Sequence, residues 1–327
     1  MKYLVTGGAG FIGSHLCEKL LKNNHTVFCI DNLSHKSKSN ILLLKKYKKF
    51  KFFKLSIDNF NKIEKLFLGI DIVFHLGALA EIVPSINFPL KYVNANVLGT
   101  ANVMEACRKY KIKKIVYAAS SSCYGIPDKF PTREIDKIDP KYPYALTKYL
   151  GEEIVMHWGK IYKLNVTSLR LFNVYGPRSR TSKTYGAVMG VFLAQKLNNL
   201  PLTIVGDGKQ KRDFLYVDDV VDAFIKASSY KKSLQIFNVC GNKPIEINYL
   251  ARLINHKSVN IPKRPGEPDQ TFGDNKKIHK ELKWKPIIKF KDGVNEVLKN
   301  ISFWKKAPAW DKNKIKIATK DWFKYLV

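Results

Sequence analysis

The sequence has no apolar run near the roughly 18 residues that a membrane-spanning helix needs. Cysteine is sparse. Five residues, Cys17, Cys29, Cys107, Cys123 and Cys240, are scattered through 327 positions with no CxxC pair. That usage reads as reduced thiols in a cytoplasmic protein, and no metal site is expected. The N-terminus passes from Met1-Lys2 straight into an apolar stretch, without the basic segment and cleavage site of a secretory signal. Acidic residues are few: 27 Asp and Glu stand against 57 Lys and Arg, a formal charge of +30. An excess of this size raises the question of an anionic partner, either nucleic acid, a membrane surface or a phosphorylated substrate. The lysines run along the whole chain, however. They form no patch interleaved with aromatics, and no nucleic-acid motif accompanies them. Together with abundant Asn and Ile they match an AT-rich coding sequence. A solvated basic surface is expected, with no specific nucleic acid and no membrane insertion.

What is present is a pattern of alternation. Hydrophobic residues make up 45% of the chain, enough for one large α/β domain and a smaller one. Short β-branched runs lie at Tyr3–Val5, Thr26–Ile30, Phe50–Phe53, Ile70–Phe74, Ile115–Ala118 and Val166–Leu171. Between them are segments of 3.6-residue periodicity, such as Ile12–Leu21 and Asn96–Tyr110. Strands alternating with helices predict an α/β fold of the Rossmann type, a doubly wound parallel sheet with helices on both faces. From about Gly176 the alternation becomes irregular, with Pro177, Pro201, Pro244, Pro262, Pro265 and Pro268. Residues 1–175 are expected to form the first domain. Residues 176–327 should form mainly a smaller C-terminal α/β substrate-binding lobe, with part of 206–240 returning to the first domain. The tail from Ile301 is aromatic, with Trp304, Trp310, Trp322, Phe323 and Tyr325, and is expected to pack against the body.

Gly7, Gly10 and Gly13 spell G-x-x-G-x-x-G between an apolar run and a helical stretch. In that context Gly7 permits a tight turn, Gly10 lets the backbone approach a pyrophosphate and Gly13 lets the helix pack on the strand. The pyrophosphate then sits at the positive end of a helix. Asp31 ends the second run, 18 residues past Gly13. A carboxylate there accepts hydrogen bonds from adenosine ribose hydroxyls and repels a 2′-phosphate, which favours NAD over NADP.

Tyr144 and Lys148 read Y-x-x-x-K, and residues four apart share one helix face. An ammonium below a phenol lowers its pKa, as does a positive nicotinamide ring, and makes a usable base near neutral pH. Ser120 lies 24 residues upstream, at the end of the fifth run. In a doubly wound sheet the carboxyl ends of strands face the cofactor.

In spacing and order Ser120, Tyr144 and Lys148 resemble the triad of the extended short-chain dehydrogenase/reductase family. Nearly the whole chain is similar to its nucleotide-sugar epimerases of the UDP-glucose 4-epimerase type. His75–Ala80 resembles the H-x-A-A segment, and Asn94–Thr100 the N-x-x-G-T segment, with Asn96 near the cofactor. Leu169–Pro177 is similar to R-x-F-N-x-Y-G-P, which implies Asn173 on a substrate diphosphate. Gly206–Asp213 matches G-D-G-x-Q-x-R-D and puts Arg212 on a phosphate. Arg264–Glu267 resembles R-x-G-D and adds a second phosphate arginine, with Glu267 where the family usually has Asp. Guanidinium forks suit a diphosphate. At Leu55–Asp58 the family often has G-D-I. Ser56 stands in place of its adenine-binding Asp, and Ser56 or Asp58 could substitute. The resemblance implies a cofactor wall of Gly7, Gly10, Phe11, Ile12, Gly13, Asp31, Asn32, Ser34, Ser56, Ile57, Leu76, Gly77, Ala78, Ala80, Asn96, Ala118, Tyr144 and Lys148. It implies a substrate wall of Ser120, Ser121, Ser122, Tyr144, Asn173, Val188, Arg212, Arg264, Glu267 and Thr271.

The same resemblance narrows the reaction. Dehydratases of the family carry Asp-Glu after the catalytic hydroxyl residue, and decarboxylases tend to keep the Glu. Here Ser121 and Ser122 follow Ser120, and neither is a carboxylate. The expectation is NAD-dependent 4-epimerisation of a nucleotide-diphosphate sugar through a transient 4-keto sugar, as in polysaccharide biosynthesis. A 4-dehydrogenase, a 4,6-dehydratase variant and a non-catalytic NAD-binding regulator remain as alternatives. Thr271 aligns with the residue that gates the sugar pocket, where a small side chain admits N-acetylated or bulky sugars. The family also dimerises through two long helices, here about residues 90–110 and 142–162, so a homodimer is implied. Which nucleotide is bound is left open.

Overall fold

The computed structural model describes residues 1–34, 37–179 and 186–326. The six apolar runs become parallel strands: β1 (Lys2–Thr6), β2 (Thr26–Ile30), β3 (Phe50–Phe53), β4 (Ile72–His75), β5 (Lys114–Ser120) and β6 (Val166–Leu171). There follow β7 (Asn173–Tyr175), β8 (Leu202–Val205), β9 (Lys211–Tyr216), β10 (Gln235–Val239), β11 (Pro244–Glu246) and β12 (Ser258–Ile261). Seven strands make one parallel sheet in the order β3-β2-β1-β4-β5-β6-β10. β6 is buried at every position and β1 at all but its first, as strands covered on both faces require. Successive residues of a strand enter different cores. Tyr3 and Val5 pack with Phe74, Val116 and Leu169, while Leu4 packs with Val73, Ile115 and Tyr117.

The first face is covered by helix α1 (Phe11–Lys22) and the Val217–Ser229 helix, which lie against each other. α1 has no acidic residue in its first turn and carries Lys19 and Lys22 in its last, so its N-terminal pole keeps its positive potential. The other face is covered by the Gly99–Lys109 and Pro143–Ile161 helices. The expected helix from Asn96 differs at its start. Regular α-helix begins at Gly99, and Val93–Leu98 form a π-helical stretch that holds Asn96.

β7 starts two residues after β6 ends, so the chain steps from the large sheet into a second one, β11-β9-β7. β9 runs parallel to β7 and antiparallel to β11, and β8 pairs with β12. Their core contains Met189, Phe192, Leu202, Phe214, Trp304 and Trp322. The chain later returns to the large sheet, where β10 pairs with β6.

Strand order reverses between β1 and β4, which opens a crevice at their carboxyl ends. Register aligns Ile30, Thr6, His75 and Tyr117 in one row across β2, β1, β4 and β5 at that end. Among the described residues no helix is long and apolar enough to cross a membrane.

Candidate active site

A cavity of about 630 Å3 opens on the crevice, within the range of small-molecule sites. One end is built by the glycine turn. Gly7 has φ of +68°, and a Cβ there would meet the Gly77 backbone at 2.8 Å. A Cβ at Gly13 would meet the Gly7 carbonyl oxygen at 2.3 Å. The turn and the start of α1 therefore tolerate no side chain at either position. Gly8, not singled out from the motif, is a packing glycine, because its Cβ would strike Cys29 Sγ at 2.6 Å and Cys17 Sγ at 3.0 Å. Gly10 caps α1 and offers no side chain to its first amides, which suits an anion at that pole. Asp31 accepts from Ala9 N at 3.1 Å and Leu33 N at 2.8 Å, so it ties β2 to the glycine turn. Asn32 Nδ2 donates to Ser56 Oγ at 3.3 Å, and Asn32 Oδ1 accepts from Ser34 N at 2.9 Å. Asp31, Asn32, Ser34 and Ser56 all line the cavity, whereas Asp58 is exposed and does not.

Every residue expected on the two walls lies on the cavity except Asn96. Asn96 is 1% exposed, and its amide is spent on protein. Oδ1 accepts from Leu79 N at 2.8 Å; Nδ2 donates to Leu79 O at 3.0 Å and Thr147 Oγ1 at 3.0 Å. It is a clamp on the Leu76–Ala80 wall and not itself a part of that wall.

Behind this wall runs a buried hydrogen-bond chain whose direction is fixed. Thr100 donates to Asn96 O at 2.6 Å, so its oxygen must accept from His75 Nε2 at 3.0 Å. His75 Nδ1 then accepts from Thr6 Oγ1 at 2.6 Å, and Thr6 accepts from Gly77 N at 3.0 Å. The imidazole is neutral, with its pKa pushed down to about 3, first by burial and then by the Lys148 charge.

The Pro143–Ile161 helix starts with proline in its first turn and presents Tyr144, Lys148 and Glu152 at four-residue spacing. Tyr144 OH donates to Ser120 Oγ at 3.2 Å, and Ser120 Oγ lies 2.7 Å from Ser122 Oγ. Lys148 is 5% exposed. Its Nζ donates to the Tyr117 hydroxyl at 2.7 Å and sits 4.2 Å from that ring's centroid. Burial pushes Lys148 down to about 7, and Glu152 opposes the shift. Gly151 makes room for this anchor, since a Cβ there would lie 2.5 Å from the Tyr117 oxygen. Glu152 accepts from Arg170 Nη2 at 2.6 Å and from Ser168 Oγ at 2.7 Å. Arg170 also reaches the Tyr124 hydroxyl at 2.9 Å, so one buried network ties the helix to β6 and to the turn after Ser120.

At the other end Glu267 joins two arginines, with Arg212 Nη2 at 2.7 Å and Arg264 Nη1 at 3.5 Å. Thr271 donates to Asn173 Oδ1 at 2.8 Å and accepts from Asp213 N at 3.0 Å. Val188 opens a helix that reaches Leu197. Sequence reasoning missed three contributors. Glu81, buried at the cap of the short Ile82–Asn87 helix, is a carboxylate on the cavity wall. A lone Glu ending the apolar segment from Leu76 was its signal. The tail was expected to pack against the body or, as the lesser reading, to meet a partner, yet Trp310 and Trp322 also line the cavity. Among the described residues no cluster of His, Cys, Asp and Glu could hold a metal.

A family model, the NAD dependent epimerase/dehydratase family, matches residues 3–240. The chain belongs to that family. NAD is the cofactor of the family, and the steric cradle at Gly7 and Gly13, the open pole of α1 and Asp31 fit it. A putative UDP-glucose 4-epimerase of Methanocaldococcus jannaschii is 38% identical over 303 residues, 90% of this chain and 96% of its own. A UDP-glucuronic acid 4-epimerase from Bacillus cereus, solved with UDP-glucuronic acid and NAD, superposes with a TM-score of 0.86 at 32% identity. That match covers 94% of this chain and 99% of the other. A UDP-N-acetylglucosamine 4-epimerase from Methanobrevibacter ruminantium, solved with UDP-N-acetylmuramic acid, gives 0.87 at 31% identity, covering 93% and 98%.

Proposed function

We propose that this family member is a UDP-sugar 4-epimerase that works through a transient 4-keto sugar. The observation that carries the reading is the Tyr144–Ser120 hydrogen bond of 3.2 Å on the wall of a cavity that also holds Arg212 and Arg264. A phenol, a hydroxyl and two diphosphate-binding guanidiniums in one cavity suit oxidation at a nucleotide-sugar hydroxyl. Gly7, Gly10, Gly13, Asp31 and Ser56 would hold NAD, which supplies hydride acceptance and return at sugar C4.

Tyr144 takes the proton of the 4-hydroxyl as that carbon is oxidised and returns it when the carbon is reduced. Ser120 steadies the same oxygen by hydrogen bonding, held in turn by Ser122. Lys148, anchored on Tyr117, provides positive charge under the phenol, and Glu152 keeps that charge accessible despite burial. Arg212 and Arg264 bind the diphosphate, each exchanging part of its contact with Glu267 for phosphate oxygens. The sugar then presents its other face by turning about its linkage to the held diphosphate. Ser121 and Ser122 cannot supply the carboxyl acid that elimination of water requires, which favours epimerisation over dehydration. UDP is the proposed nucleotide because the similar proteins carry that name. The small Thr271 leaves room for an N-acetyl group. Incubation with UDP-glucose and with UDP-N-acetylglucosamine, followed by NMR of the products, tests both points. Conversion of both is expected. Conversion of UDP-glucose alone removes the role given to Thr271, and conversion of neither removes the whole reading.

A further inference from the structure

Trp322 lies beyond the residues matched by the family model. It belongs to the last helix, Lys320–Tyr325, is 3% exposed, and shares a core with Val83, Phe192, Trp304 and Ile315. Packing alone would ask only for apolar contacts. Trp322 also makes three directed ones along the cavity. Its indole Nε1 donates to the Pro265 carbonyl at 2.7 Å. The Arg264 guanidinium lies 5.5 Å from its ring centroid, within reach of a cation–π contact. Its ring is 6.2 Å from that of Tyr142. Tyr142 in turn stacks on Tyr144 at 6.4 Å with an interplanar angle of 8°, a separation typical of offset aromatic pairs. One indole thus touches a guanidinium of the phosphate end and the neighbour of the phenol at the sugar end.

We propose that Trp322 is a positioning residue of the reaction, fixing Arg264 and Tyr144 relative to one another, with Tyr142 as the link to Tyr144. The inference rests on the 4-epimerase reading. A nucleotide sugar is held by its diphosphate while the phenol acts on the 4-hydroxyl, so the spacing between the two ends governs how well the reacting atoms meet. A misplacement of about 1 Å at such a distance costs on the order of a hundredfold in rate. Trp322 touches neither α1 nor the glycine turn in any of these contacts, so NAD retention should be indifferent to it.

The test uses the full-length holoenzyme with Trp322→Leu, Trp322→Phe, Tyr142→Leu and the combinations of each Trp322 change with Tyr142→Leu. At saturating UDP-sugar, kcat should fall by about 10- to 100-fold in Trp322→Leu. In Trp322→Phe, which keeps a ring but loses the donor to Pro265, it should fall less. NAD copurified per chain should stay at the wild-type value in both. Combined with Tyr142→Leu, either Trp322 change should cost less than the product of the single effects, because the two share one route. If Trp322→Leu does not fold, the cycle of Trp322→Phe with Tyr142→Leu decides alone. The proposal is overturned if kcat is unchanged and only KM rises, if bound NAD is lost in step with activity, or if the cycle is multiplicative. Failure of the wild type to convert any UDP-sugar would instead remove the 4-epimerase reading itself.

Discussion

Tyr144 is where chemistry and structure meet most narrowly, because in the proposed reaction one phenol oxygen both bonds Ser120 and exchanges a proton with substrate. Replacing it by Phe removes the oxygen and leaves the ring that stacks on Tyr142. Tyr144→Phe should lower turnover by about 10²- to 10⁴-fold, the usual worth of a positioned acid or base, while NAD still copurifies. A steady-state rate beside a bound-nucleotide assay checks this; unchanged turnover would remove the role given to Tyr144, whereas absence of turnover in the wild type with NAD still bound would point to a regulator rather than an enzyme. Gly13 is the corresponding residue in the proposed cofactor cradle. Its Cβ would lie 2.3 Å from backbone that cannot move aside, so Gly13→Ala should abolish NAD copurification and lower the melting temperature. A conservative change that leaves NAD bound would contradict the steric argument.

At the scale of elements, the chain from Gly77 through Thr6, His75 and Thr100 to Asn96 ties β1 and β4 to the π-helical segment. Its imidazole has a folded pKa of about 3, below its ordinary value of 6.5. The unfolded chain therefore binds one more proton between those values. The contribution is present in full above about pH 6.5 and is lost as pH falls toward 3, at about 1.4 kcal/mol per pH unit. Urea unfolding at pH 7, 6, 5 and 4 should show this slope, reduced by one proton in His75→Asn; identical slopes would contradict the neutral buried imidazole. The elements themselves were legible in the sequence because parallel strands covered on both faces are continuous apolar runs, and the glycine spacing marks where one of them turns into a helix. Asn96 stands behind the cavity wall for a physical reason. Its side-chain amide can satisfy a backbone turn as well as a ligand, and spacing alone does not say which. Glu81, Trp310 and Trp322 were missed because they reach the cavity only through the packing of short helices and their connecting segments, far apart in sequence.

On the scale of the whole molecule, two neighbouring helical regions leave large apolar side chains outside the core. Leu90, Val93 and Leu98 lie on one, and Leu146, Leu150 and Ile161 on the other, all exposed. We propose that a second copy covers them. Light scattering should then give twice the chain mass, and Leu146→Glu with Leu150→Glu should shift it toward one chain. A monomeric wild type would remove this proposal. The charge of +30 gathers into no site of its own in this account, and the cavity's cations are specific ones: Lys148 at one end, Arg212 and Arg264 at the other. In the proposed reaction hydride leaves and returns within one turnover. The most direct test is a proton NMR time course of UDP-glucose with purified enzyme and no added NAD. The 4-epimer should grow to equilibrium over many turnovers without free NADH. A keto or deoxy product, or NADH accumulating in step with product once NAD is supplied, would contradict it.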